Sequence, residues 1–138
     1  MAEAVLRAKV VAAGLESRVT LDSAGTGGWH SGEPPHRGTR TILDKYAIPH
    51  IGQTARQITR ADLDTFDYVV TMDEMNRADV KALGPTSGKI VPLLEYAPQT
   101  GVTEVPDPYY TGGFEGVYHL IDAGCDGLLS AIRTEHRI

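Results

Sequence analysis

YVVTMDEMNRADVKALGPTSGKIVPLL (residues 68–94) is the stretch that decides the fold. Tyr68–Met72 is a short apolar, β-branched run and reads as a buried strand. Lys89–Leu94 reads as a second strand. Between them, Glu74–Leu83 reads as a helix. Gly84-Pro85 stops it, because neither residue continues a helix well. A strand, a helix and a strand in such close order form a unit whose two strands lie parallel in one sheet.

The alternation continues on both sides. Met1 to about Ala13 is Ala-rich, with Val5, Leu6 and Val10 at helical spacing and Gly14 as a stop. Arg18–Ser23 reads as a strand, since Val19 and Leu21 alternate with polar residues. Ala24–Pro35 is a Gly/Pro-rich loop carrying Trp29 and His30. Arg37–Ala47 reads as a helix and Asp62–Phe66 as a short one. Phe114–Arg133 is a long helix whose apolar face is Val117, Leu120, Ile121, Leu128, Leu129 and Ile132. Gly116, Gly124 and Gly127 lower its propensity, so packing must hold it. There is no repeat and no linker. The expectation is one α/β domain over residues 1–138, with a parallel sheet covered by helices on both faces. One oddity stands at the front: the first helix starts at residue 1, with no capping residue and no strand before it.

Composition narrows the class. The chain is 41% hydrophobic and 22% charged, as in a globular protein, and its net charge is −5. No basic run offers a nucleic-acid surface, and no apolar stretch approaches membrane-spanning length. The start carries no signal-peptide pattern, so a cytoplasmic location is expected. The single cysteine, Cys125, excludes an internal disulfide and a cysteine-pair redox cycle. It falls inside the last helix among apolar residues, where a buried structural thiol is expected. His30, His36, His50, His119 and His136 are too scattered for a metal site.

The chemistry concentrates in Glu104-Val105-Pro106-Asp107-Pro108-Tyr109-Tyr110. Two prolines keep Asp107 out of a helix and stiffen the loop. Its carboxyl is presented beside flat aromatic rings, which suits a proton donor to an aromatic substrate; an ordinary Pro-rich turn is the alternative.

Taken together, the motifs resemble the low-molecular-weight protein-tyrosine phosphatases over nearly the whole chain. Met1-Ala2-Glu3-Ala4-Val5-Leu6 is similar to the helix that follows the family's phosphate loop. Ser23-Ala24-Gly25-Thr26 and Trp29-His30-Ser31-Gly32-Glu33-Pro34 resemble its second strand and aromatic loop. Ala55-Arg56-Gln57-Ile58, Phe66-Asp67-Tyr68 and Met72-Asp73-Glu74-Met75-Asn76 match further signatures, and Val105–Tyr110 resembles the general-acid loop. Together and in order such segments are specific, where each alone is weak.

The resemblance implies a flavodoxin-like three-layer sheet whose first, central strand is absent here. It implies Asp107 as general acid; Trp29, Tyr109 and Tyr110 as walls of the substrate site; and Ser23 as support for a phosphate loop. It implies no cofactor and no metal. The partner would be a phosphotyrosine protein or a small phosphomonoester. Asp73 and Asn76 fall on family positions, although a helix cap explains Asp73 equally. The family's nucleophile lies in a Cys-x5-Arg loop just ahead of the first helix, and these residues contain no such loop. Family chemistry needs a thiolate, a phosphate-gripping Arg and an acid, and only the acid is present. Three readings therefore stand. One is a phosphatase recorded without its nucleophile loop, with the chain as written inactive. The second is a non-catalytic, phosphatase-like binding module. The third, an arsenate reductase relative, needs further redox cysteines.

Overall fold

A computed structural model describes residues 1–108 and 113–138. Its helices are α1 (Ala2–Ala12), α2 (Arg37–Lys45), α3 (Arg60–Thr65), α4 (Glu74–Ala82) and α5 (Phe114–His136). Its strands are β1 (Tyr68–Thr71) and β2 (Lys89–Pro92), and two 3₁₀ turns follow β2 at Leu93–Tyr96 and Pro98–Thr100. β1 and β2 pair parallel, with Tyr68 opposite Lys89 and Thr71 opposite Pro92. The helix between them makes the crossover read from residues 68–94.

β1 is covered on both sides. Val69 packs with Leu63 of α3 and Val80 of α4, while Tyr68 and Val70 pack against the larger cluster built by α1, α2 and α5. Leu43 of α2, Val5 of α1, and Cys125 and Leu128 of α5 are buried in that cluster. An α/β fold with helices around a parallel sheet is therefore observed.

Most element ends shift by one or two residues from the sequence reading, and three differences have a physical cause. The strand expected at Arg18–Ser23 forms no ladder. Residues 20–24 make no backbone–backbone hydrogen bond among the described residues, and pairing begins only at Gly25, which bridges Gln57 in parallel. Alternating Val19 and Leu21 still pack against Val10, Leu15 and Leu129, so the apolar pattern is satisfied without a strand partner. β2 ends at Pro92, where the chain turns into a 3₁₀ helix that buries Leu93 and Leu94. Proline removes the ladder donor at that point. α5 continues past Arg133 to His136 and is closed by Arg137 at φ 53°. Its polar last turn carries no apolar period but is anchored on β1 and β2: the Tyr68 hydroxyl reaches the Glu135 carboxylate, and Lys89 Nζ lies 3.1 Å from it.

Local chemistry explains the helix ends. His36 caps α2, its Nδ1 accepting from the Gly38 N–H at 3.0 Å, and its ring stacks on Phe114 at 5.3 Å between centroids. Asp73 caps α4 through the Asn76 N–H at 2.7 Å. Ala47, just past the end of α2, is held at φ 55°, a conformation that crowds any Cβ. Ala47→Gly is expected to raise stability by about 0.5–1 kcal/mol in urea unfolding, strain relief outweighing the added freedom of the unfolded chain. An unchanged or lower midpoint would show that Ala47 is not strained.

Candidate active site

The acid loop hangs from the carboxyl end of β1. The Val105 N–H donates to the Met72 carbonyl at 2.8 Å, and Val105 itself is buried in the main cluster. The Glu104 carboxylate accepts from the Glu74 N–H at 2.7 Å, which fastens the loop to the first turn of α4 and satisfies one of that helix's unpaired donors. Asp107 follows two residues later and is exposed. The prolines on either side leave this short segment little freedom, so its two anchors place Asp107 just beyond the end of β1. Tyr109 and Tyr110 lie outside the described residues.

Trp29 crowns a second loop, pinned along residues 55–58. Gly25 N–H donates to the Arg56 carbonyl at 2.8 Å, Ile58 N–H to the Gly25 carbonyl at 2.8 Å, Gly32 N–H to the Ala55 carbonyl at 2.7 Å, and Ala55 N–H to the Glu33 carbonyl at 2.7 Å. The indole folds over Gly27, where a Cβ would lie 1.6 Å from the ring, so any side chain there would displace the indole. The opposite side of the indole is open, and Trp29 is 87% exposed. His30 and Glu33 pair beside it at 2.7 Å.

Ser23 lies at the first turn of α1, where its hydroxyl donates to the Glu3 carboxylate at 2.7 Å and its N–H donates to the Asp22 side chain at 2.8 Å. The other Asp22 oxygen accepts from Arg56 Nε at 3.0 Å, and the Arg56 guanidinium forks onto Asp62 at 2.9 and 3.1 Å. Asp62 also accepts from the Thr59 N–H at 2.8 Å, closing the start of α3. In the sequence Arg56 and Glu3 stand only within motifs, Asp62 only as a helix start, and Asp22 has no assigned role. The Thr59-x-x-Asp62 spacing was the available signal, being that of a reciprocal helix cap.

This network sets the charge of Asp62. The Arg56 guanidinium, opposed by partial burial and helped by Thr59, holds its carboxyl below the usual carboxylate range. A depressed folded-state value contributes stability above the unfolded value of about 3.9 and loses it as pH falls through the folded value. Asp62→Asn is therefore expected to cost roughly 1–3 kcal/mol near pH 7 and much less near pH 3. Urea unfolding of both chains at the two pH values measures this, and a difference independent of pH would contradict the pairing.

Cys125 is 1% exposed, and burial pushes its thiol up to about 12. Such a thiol is not a thiolate near neutrality, so Cys125 cannot serve as an activated nucleophile. Asp73 spends its side chain on the α4 cap. Among the described residues, no group of three or more His, Cys, Asp or Glu is placed to hold a metal, and no helix is long and apolar enough to cross a membrane.

A groove of about 910 Å³ is lined by Ser23, Asp22, Arg56, Asp62 and Cys125, and neither Trp29 nor Asp107 lines it. Residues 18–26 form one wall and Tyr68–Met72 the other. Val19 and Ile138 pack against one buried cluster, and Tyr68 touches the neighbouring His136. At the opposite end the walls lead to Ser23 and to the Met72 carbonyl that holds the acid loop. Ser23 opens onto the groove, and the acid loop is tied to Met72 at the end of the β1 wall.

The family model described as "Low molecular weight phosphotyrosine protein phosphatase" matches residues 1–138. The chain is 44% identical over 140 residues to low molecular weight protein-tyrosine-phosphatase YfkJ of Bacillus subtilis, covering 100% of this chain and 90% of that protein. It superposes on 86% of the YfkJ crystal structure with a TM-score of 0.94, using 97% of its own length. It is 41% identical to low molecular weight protein-tyrosine-phosphatase PtpA of Staphylococcus epidermidis over 133 residues, 96% of this chain and 84% of that one. A protein tyrosine phosphatase from Entamoeba histolytica, 28% identical, aligns with a TM-score of 0.88 over 98% of this chain and 87% of its own.

Proposed function

We propose, from the premise that this chain belongs to the low molecular weight phosphotyrosine protein phosphatase family, that its site hydrolyses aryl phosphate monoesters, phosphotyrosine or a small analogue, with Asp107 as general acid. The observation that carries the reading is the Pro-braced Asp107 loop, hung through Val105 from Met72 at the carboxyl end of β1. In this mechanism a thiolate attacks phosphorus in line as the P–O bond to the phenol breaks. Asp107 gives its proton to the departing oxygen, and water then cleaves the cysteinyl phosphate to inorganic phosphate and free thiol. Trp29, Tyr109 and Tyr110 flank the ring, and Ser23 steadies the phosphate end. The thiolate and the phosphate-gripping Arg belong to a Cys-x5-Arg loop at that same end of the groove, which these 138 residues do not contain.

The test uses two proteins: the chain alone, and the chain with a family-type strand and Cys-x5-Arg loop joined ahead of Met1. The joined protein is expected to hydrolyse para-nitrophenyl phosphate at mildly acidic pH, and the chain alone is not. Absence of turnover in a folded joined protein would favour a non-catalytic binding module instead.

A further inference from the structure

We propose that Arg37 and Arg40 of α2 dock an acidic stretch of the polypeptide that carries the phosphotyrosine, which makes the site selective for acidic substrates. The inference rests on the phosphatase reading of the site and names the class of polypeptide it takes. α2 buries Thr39, Ile42 and Leu43, which leaves Arg37, Arg40 and Asp44 together on its outer side. The other charges nearby are already answered. Glu33 is held by His30 at 2.7 Å, Asp44 by His50 at 2.8 Å, and Lys45 reaches Glu115 at 3.1 Å. Arg37 and Arg40 make no ion pair and no side-chain hydrogen bond among the described residues, although Asp44 stands only one turn beyond Arg40. Two cations in the first turn of a helix, with no acid beside them, oppose its dipole, so helix stability does not account for them.

Their place in the fold fits a substrate contact. Gly38, between them, lies so close to Phe114 that a Cβ there would come within 2.4 Å of the ring, and the His36 ring stacks on the same phenylalanine. Phe114 opens α5 and ends the segment that leads from Asp107, while Pro34-Pro35 joins the Trp29 loop to α2. The arginines therefore stand where the acid-loop segment and the aromatic loop both return to the body of the protein. α4 lies on the opposite face of the sheet, since Val80 packs with Val69 while Leu43 of α2 packs in the cluster of Tyr68 and Val70. On that side the exposed acids are Glu74 and Glu104. The acid loop is thus flanked by free cations toward α2 and by acids toward α4, in a chain whose net charge is −5. Such a pair of cations acts over about 10 Å at 0.1 M salt, roughly three residues of extended peptide. Acidic residues on one side of the phosphotyrosine are the complement.

Two measurements test this. The first uses proton–nitrogen correlation spectra of the unaltered 138-residue chain at low salt. The peptide Asp-Glu-Asp-Ala-Tyr-Ala, or its reverse, should shift the Nε–H signals of Arg37 and Arg40 saturably, and about 0.3 M sodium chloride should reverse the shifts. Lys-Lys-Lys-Ala-Tyr-Ala should leave them in place. The second uses the protein joined to its Cys-x5-Arg loop. There the phosphotyrosine form of the better acidic peptide should have a kcat/KM about tenfold or more above that of the basic one. Arg37→Glu with Arg40→Glu should reverse that order and leave turnover of para-nitrophenyl phosphate unchanged. Acids in the first turn suit the helix dipole, and a circular dichroism melt checks that the variant keeps its fold. Shifts at Arg37 and Arg40 no larger than those at Arg18 and Arg60 would overturn the proposal. So would equal kcat/KM for the acidic and basic peptides in a protein that turns over para-nitrophenyl phosphate. A joined protein without that turnover would count against the phosphatase reading alone, and the spectra of the 138-residue chain would still decide whether this surface takes an acidic polypeptide.

Discussion

Asp107→Asn is expected to lower turnover of poor leaving groups, such as phenyl phosphate, by roughly 10²–10⁴-fold in the protein joined to its Cys-x5-Arg loop, the span of positioned acid catalysis. Asn keeps the size and the loop but has no proton to give. The loss should shrink with the leaving-group pKa, since an activated phenolate departs without help. Binding contacts made equally in ground and transition states are untouched, so kcat falls while KM changes little. The anchors at Val105 and Glu104 do not involve the Asp107 carboxyl, and circular dichroism and a thermal melt check that the variant keeps its fold. An equal loss for every leaving group, or none, would remove Asp107 from the acid role.

Gly127→Ala is expected to destabilise the chain by about 1–3 kcal/mol, against the usual benefit of roughly 1 kcal/mol for Gly→Ala within a helix. A Cβ at Gly127 would lie 1.9 Å from the Tyr96 carbonyl oxygen, where α5 crosses the 3₁₀ turn after β2. That oxygen belongs to backbone and cannot swing aside like a side chain. Gly116 is the control. A Cβ there meets nothing within 4 Å, so Gly116→Ala should stabilise by about 0.5–1 kcal/mol. Thermal melts of the two variants should therefore move in opposite directions, and a shared direction would contradict the close approach.

These glycines show what the sequence could and could not convey. Gly116, Gly124 and Gly127 all read as weak points of one helix, because propensity is local. Gly124 and Gly127 are contact points with Leu93 and Tyr96, more than thirty residues back in the chain, and only tertiary structure distinguishes them from Gly116. Residues 68–94 were legible because their apolar runs and the Gly84-Pro85 stop act over short range. The same holds for the α5 face, for the buried Cys125 and for the family, whose motifs are short and contiguous and whose model matches residues 1–138. Arg18–Ser23 misled because alternation reports where side chains pack, not whether a ladder partner is present; Val19 and Leu21 pack without one. Two prolines single out Asp107 and flanking glycines single out Trp29 as the site residues to test. The Ser23–Asp22–Arg56–Asp62 chain was not legible, since it joins α1, two loops and α3 through charges that each look like ordinary surface residues in sequence.

The most direct test of the central claim is a rapid-quench experiment with excess para-nitrophenyl phosphate on the joined protein, followed by mass analysis of its cysteines. The account predicts a burst of nitrophenol approaching one per chain, with phosphate carried on the Cys-x5-Arg cysteine and none on Cys125. Phosphate on Cys125, or a burst from the 138-residue chain alone, would contradict it.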